Sequence, residues 1–289
     1  MDDYSRRAVT AALAVARGLG LQCSDHAEIV ADGSNVLVHL VPSPVVARVA
    51  TTTALVRKPA QWWLALDLDL AGYLAARDFP VVPPCRDLPP GPHQHDGFAL
   101  TFWEFVEHDR NYIAGANETG RFLRDLHGAL HGYRGALRRL SPFAEIPRWL
   151  DEIAAWNTVD PADIAMLRRG FAVVSAEIEA LRLPEQPLHG DAHKKNLLKT
   201  RKGLVWTDFE DACCGPIEWD LACFVRTSLE PGEVALASYS GQLDPARLKP
   251  FFAARDLQGA AWGAILSTRF PDRKERAAEW MAIARSRYG

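Results

Sequence analysis

Between Leu188 and Asp208 the chain reads LHGDAHKKNLLKTRKGLVWTD, and three of its side chains carry oxygen atoms suited to one reaction. Asp191 is followed five residues later by Asn196, and an apolar Leu204-Val205-Trp206 run then delivers Asp208. A carboxylate beside a hydroxyl can orient it and accept its proton, while a neutral amide oxygen and a second carboxylate suit Mg²⁺, a hard cation that prefers oxygen ligands. Transfer of a phosphoryl group to an alcohol needs those types, and it leaves the protein mainly positioning and charge stabilisation to do. An aspartate with an ordinary pKa near 3.9 is a weak base, so Asp191 would act largely by placing the acceptor. Taken singly, each residue has a plainer explanation as a turn aspartate or a loop asparagine bonded to its own backbone. The order of the three is what argues for chemistry.

The same stretch admits a second chemistry. His189-x-Asp191-x-His193 has the donor types of a transition-metal site in a hydrolase. That reading leaves Asn196, Asp208 and the segment from Gly215 to Asp220 without purpose, and no further histidine-rich cluster lies nearby.

HGDAHKKN followed by TDFEDACCGPIEWDLA resembles the signature of the aminoglycoside phosphotransferase and choline kinase-like group, relatives of the protein kinases that phosphorylate small molecules. Weaker likeness runs from about Ile29 to Phe224. The resemblance implies an α+β, bilobal protein-kinase-like fold with a small antiparallel-sheet N-lobe over residues 1–103 and a larger, mainly helical C-lobe over 104–289. It implies ATP, with GTP as the alternative nucleotide, Mg²⁺, and a small-molecule hydroxyl acceptor.

By the same resemblance Asp191 is the general base, and Asn196 and Asp208 hold the metal. His189 steadies the catalytic loop, and Asp220 is the buried aspartate that accepts backbone hydrogen bonds beneath it. Ser34 and Asn35, in Gly33-Ser34-Asn35, correspond to the turn over the phosphates, and Arg48 stands where protein kinases carry a lysine. Asp69, or else Asp67, would orient Arg48, and Trp103 to Val106 would form the hinge beside adenine. His193 is left between packing the loop and approaching the acceptor. Glu107, Asp109, Glu210, Asp211 and Glu218 would favour a cationic acceptor, an aminoglycoside or amino alcohol, if they lined its cleft. Arginine in place of lysine and a glycine-poor turn also suit a nucleotide-binding protein without turnover; the complete set Asp191, Asn196 and Asp208 argues against it.

The elements needed to hold these residues can be read from the pattern. Residues 6–19 form an alanine-rich helix, and 27–30, 35–41 and 45–49 form strands separated by Asp32-Gly33-Ser34 and Pro42-Ser43-Pro44. Trp62, Leu66, Leu70, Tyr73 and Leu74 place a helix from Pro59 to Ala76. Prolines at 80, 83, 84, 89, 90 and 92 predict a loop to Gly97, followed by a strand from Phe98 to Val106. Beyond it the pattern turns helical: Thr119 to Leu130, a long helix opened by Pro161 and ending before Pro184, then Ala260 to Leu266 and Arg273 to Arg287, with a strand-like insert from Pro187 to Asp208.

A chain of 289 residues with 48% hydrophobic content buries a large core, and its net charge of −3 gives no general pull toward nucleic acid. No apolar stretch approaches the roughly 20 residues that span a bilayer, and the first residues lack a signal pattern, so a cytoplasmic protein is expected, with neither membrane nor nucleic acid as a partner. Five cysteines in no paired spacing predict reduced, mostly buried thiols.

Overall fold

The computed structural model describes residues 3–25, 27–239 and 244–289. The chain divides into two compact units, one of residues 1–112 with 196–210 and one of 113–195 with 211–289.

The first unit is built on a five-stranded antiparallel sheet in the order β1-β2-β3-β5-β4, with β1 Glu28–Asp32, β2 Asn35–His39, β3 Val45–Ala50, β4 His93–His95 and β5 Phe98–Glu104. Helix α1, Asp3–Gly18, presents Ala8, Ala11, Ala12 and Ala16 as one buried stripe, and these small side chains pack against Val36, Val38, Ala47, Val49, Leu100 and Phe102. Each buried valine or leucine in that layer contributes roughly 1.5–3 kcal/mol. Strand side chains alternate between faces, so Arg48, between Ala47 and Val49, points to the face away from α1. That alternation puts a charged residue in the middle of an apolar strand.

Two helices follow β3, α2 Thr52–Val56 and α3 Ala60–Ala75. On α3, Trp63, Leu64, Leu66, Asp67, Leu70, Ala71 and Leu74 are buried, a broad helical face with one carboxylate in it. The proline-rich stretch expected to be loop contains β4, which pairs with β5 from His93↔Leu100 to His95↔Phe98. A three-residue edge strand beside Pro92 leaves too little periodicity to be seen in the sequence. A hairpin of Leu197–Thr200 and Gly203–Trp206 returns to this unit, with Val82 donating to the Trp206 carbonyl at 2.9 Å and Trp206 itself fully buried.

The second unit holds α4 Ala116–Leu130, α5 Ser141–Ala144, α6 Ile146–Trp156, α7 Pro161–Ala180, α8 Glu218–Thr227, α9 Gly232–Tyr239, α10 Lys249–Arg269 and α11 Lys274–Tyr288. A short ladder joins Gln186–Leu188 to Cys213–Gly215. Asp160 caps α7 by accepting the Ala162 N–H at 2.8 Å, with Pro161 at the first position. Helix α10 is three times as long as the segment expected from 260 to 266, because its first half also buries Phe251, Ala254 and Leu257. Helices α6, α7, α8 and α11 all pack on it. Among the described residues no helix is long and apolar enough to cross a membrane, and all five cysteines are free thiols.

Candidate active site

In the first unit four charged residues gather around Arg48. One guanidinium nitrogen lies 2.5 Å from Asp208 Oδ1 and 2.6 Å from Glu210 Oε2, and the other lies 3.3 Å from Asp67 Oδ2. Arg57 reaches Glu210 Oε1 at 2.9 Å while its guanidinium lies 4.3 Å from the centre of the Trp63 ring. Asn35 donates to Glu210 at 2.6 Å and accepts from Thr53 at 2.5 Å. The Phe209 N–H donates to Asp67 Oδ1 at 2.9 Å. Burial works against charge on Arg48, but Asp208, Asp67 and Glu210 outweigh it and hold its pKa well above the ordinary value. Asp67 is pushed up to about 7, chiefly by burial; Arg48 pulls it down, and Asp208 and Glu210 push it up again.

Of the two carboxylates expected to orient Arg48, one stands beside it. The carboxylate beside Arg48 is Asp67, not Asp69, which is exposed on α3. Two residues along a helix is a turn of about 200°, so only one of the pair can face the sheet. Both ends of the Asn35 side-chain amide bind inside the unit. Glu210, counted in the sequence with the acceptor acids, is 4% exposed and bridges two arginines. Ser34 contributes its carbonyl, which accepts from the Thr53 N–H at 3.0 Å and ties the 32–35 turn to α2.

The hairpin brings the two metal candidates of this unit to one end. Leu197 pairs with Trp206, and the Thr207 N–H donates to the Asn196 carbonyl at 3.0 Å, so Asn196 and Asp208 leave the same end of the ladder. Asp208 adopts a left-handed backbone, φ 69°, a conformation that aspartate tolerates at a cost of order 1 kcal/mol. Its side chain is 41% exposed despite the bond to Arg48. Counting Asp67, Asp208 and Glu210 against Arg48 and Arg57, the cluster holds one more acid than base. Oxygen donors and partial exposure fit a hard divalent cation that completes its shell with water and phosphate.

A cleft of about 100 Å³ is lined by Val30, Leu37, Val46, Leu198 and the Trp103–Val106 segment together with Arg48, Asp67 and Thr207. An apolar slot ending in a guanidinium suits a flat heteroaromatic ring carrying an anionic tail.

In the second unit the loop from His189 to His193 is clamped from several helices. Asp220, at the start of α8 and fully buried, accepts the N–H of His189 and of Gly190, both at 2.9 Å, and also bonds His127 Nε2 at 3.0 Å. His127 in turn meets the Tyr239 hydroxyl at 2.8 Å. Burial raises the Asp220 pKa, but the His127 hydrogen bond and charge, with His189 and Arg255, bring it below the ordinary value. Gly190 has φ +85°, and a Cβ there would lie 1.7 Å from the Asp211 carbonyl oxygen, so no other residue fits.

Asp191 meets His193 Nε2 at 3.2 Å on one oxygen and Arg255 Nη1 at 3.2 Å on the other, where the Cys223 thiol also donates at 3.4 Å. Burial pushes its pKa up, yet His193, then Arg255 and His189, hold it well below the usual carboxylate range. His193 thus packs against Asp191 within the loop. Among the described residues no three His, Cys, Asp or Glu side chains form a metal-binding group, so His189, Asp191 and His193 are not the ligand set of the hydrolase reading. Arg57, His127, Cys223 and Arg255 were not singled out in the sequence, for they join their partners from 32 to 153 positions away. Glu218, once counted with the acceptor acids, is 6% exposed.

Known proteins can be set beside this geometry. The model of the phosphotransferase enzyme family matches residues 29–280. No curated protein sequence matches the chain. An amicoumacin kinase solved with AMP-PNP and Ca²⁺ superposes with a TM-score of 0.72 at 13% identity, over 98% of this chain and 96% of that one. A microcompartment-associated aminopropanol kinase gives 0.67 at 19%, over 95% of each chain. A choline/ethanolamine kinase family protein from Mesorhizobium loti gives 0.64 at 20%, over 95% of this chain and 93% of that one. The likeness shows a protein-kinase-like α+β fold.

Proposed function

The chain belongs to the phosphotransferase enzyme family, and from that premise we propose that this small-molecule kinase moves the γ-phosphoryl group of ATP to a hydroxyl, with Asp191 as the residue that receives the hydroxyl proton. The carrying observation is the state of Asp191: its loop is fixed by Asp220, its carboxylate lies between His193 and Arg255, and it stays ionised. A carboxylate so held accepts a hydrogen bond from an incoming alcohol and turns the oxygen lone pair toward phosphorus. As the new O–P bond forms and the bond from phosphorus to the bridging oxygen breaks, the alcohol becomes acidic and its proton passes to Asp191, leaving ADP.

The cleft lined by Val30, Leu37, Val46 and the Trp103–Val106 segment takes the adenine ring, and Arg48 offers its guanidinium fork to the phosphates while Asp67 braces it. Asn196 and Asp208 would hold Mg²⁺, which neutralises charge on the phosphate oxygens when bound. In this reading residues 1–103, together with the 197–206 hairpin, act as the nucleotide-binding part.

For the acceptor, an amino alcohol is supported by the aminopropanol named for one similar structure and an aminoglycoside-like molecule by the kanamycin named for another. Of the acids considered in the sequence, Glu107 and Asp109 are exposed and Asp211 is half-buried, and these remain to attract a cation. The test is a mass-spectrometric screen of amino alcohols and aminoglycosides with ATP and Mg²⁺, in which one acceptor gains a phosphoryl group and the Asp191→Asn protein leaves it unmodified. Equal modification by both proteins rejects the role given to Asp191. ATP binding without turnover of any acceptor favours a nucleotide-binding protein.

A further inference from the structure

Arg255 lies on α10, far in sequence from the loop it touches, and it is 6% exposed. Its guanidinium does three things at once. Nη1 lies 3.2 Å from Asp191 Oδ1, Nη2 donates to the Gly190 carbonyl at 2.7 Å, and the planar group stacks 3.9 Å from the centre of the Trp219 ring. Trp219 donates its indole N–H to the same Gly190 carbonyl at 2.8 Å. Backbone and side chain of one short segment are thereby tied to a single rigid plane.

We propose that Arg255 is a positioning residue for phosphoryl transfer: by gripping the Gly190 carbonyl and one Asp191 oxygen in the same fork, it fixes the direction in which the other oxygen, which also meets His193, is presented to the acceptor hydroxyl. The inference rests on the reading of Asp191 as the residue that meets that hydroxyl. Its basis is geometric. A guanidinium has donors in a fixed planar fork, so two bonds of known direction define where Asp191 can sit, whereas an ammonium has neither the plane nor the reach to stack and bond together.

The Cys223 thiol, from α8, supports the assignment of the two oxygens, because it donates to the oxygen that Arg255 holds. His193 stands by the other oxygen. Burying a full positive charge is costly unless it is paired, and here Asp191 is its carboxylate partner. Arg255 therefore also biases Asp191 toward the ionised form that can accept a proton.

The experiment follows the Asp191 carboxyl itself and needs no acceptor. Protein carrying ¹³C at the aspartate carboxyl is titrated by NMR in the wild type, Arg255→Lys and Arg255→Met, with Asp191→Asn to assign the resonance. The groups facing Asp191 are His189 and His193 on its own loop, Cys223 on α8 and Arg255 on α10. The expected result is that Asp191 titrates at least about one pH unit higher in Arg255→Met, a tenfold change in the protonation equilibrium, and by less in Arg255→Lys. A wild-type titration in both variants overturns the proposal, and Arg255→Lys answers alone if Arg255→Met does not fold. Failure of the wider reading looks different: Asp191→Asn would keep transferring phosphoryl groups whatever the titration does.

Discussion

Arg48 touches Asp208 at 2.5 Å although 160 positions separate them. The residue expected to meet the nucleotide phosphates thus also holds the carboxylate expected to meet the metal. That contact pairs two groups that a metal-bound nucleotide would each engage.

Replacing Arg48 with lysine keeps the charge but removes the fork that serves Asp67, Asp208 and Glu210 together. The KM for ATP should rise about tenfold, with a smaller fall in kcat. Steady-state kinetics at varied ATP checks this, and an unchanged KM would mean that Arg48 serves only the fold.

Glu210 and Asp67 should respond in opposite ways to neutralisation. Glu210→Gln leaves Arg57 and Arg48 short of a shared buried partner, and losses from breaking such pairs run to about 3–5 kcal/mol. Asp67→Asn removes a carboxylate whose surroundings disfavour its charge, so stability without nucleotide should hold or rise above pH 7 while turnover falls. Urea denaturation of both variants at about pH 8 separates them; a comparable loss in both would refute the contrast.

The same carboxyl sets a pH dependence. In the unfolded chain Asp67 loses its proton near 3.8, whereas in the folded protein it keeps it to about 7. Between those values the folded state binds the extra proton, so this contribution is fully present below about 3.8 and is lost as pH rises through 7. That interval corresponds to at most about 4 kcal/mol. Unfolding free energy without nucleotide should decline over it, and Asp67→Asn should flatten the decline.

Much of the site was legible because its residues are close in sequence. Asp191, Asn196 and Asp208 fall within one 21-residue stretch, and Asp220 follows soon after. Strands β1 to β3 and β5 also announced themselves through alternation and turn residues. What could not be read was pairing across long separations. Nothing local tells Asp67 from Asp69; the choice depends on which face of α3 meets the sheet. Arg255 is a polar residue within a long helix, and only the packing of α10 beneath the 189–193 loop gives it a role. Short elements such as β4 and α5 lacked enough residues to show a period.

Asp220 offers the most direct test of how the loop is held. Its two oxygens accept the His189 and Gly190 N–H groups, and one of them also bonds His127. In Asp220→Asn an amide NH₂ must face at least one of these donors, leaving a buried N–H without its acceptor. Charged hydrogen bonds of this kind contribute about 1.5–3 kcal/mol each, so a loss of at least about 1.5 kcal/mol is expected. Because the folded pKa of Asp220 is depressed, its contribution is present above the ordinary carboxylate value and is lost as pH falls through the depressed one. Acid unfolding should therefore be steeper in the wild type than in the variant. The kcat should fall about a hundredfold as the Asp191 loop loses its support, while ATP affinity changes little, since none of the bonds to Asp220 comes from the residues lining the cleft beside Arg48. A variant with normal kcat and weakened ATP binding would contradict this division of labour.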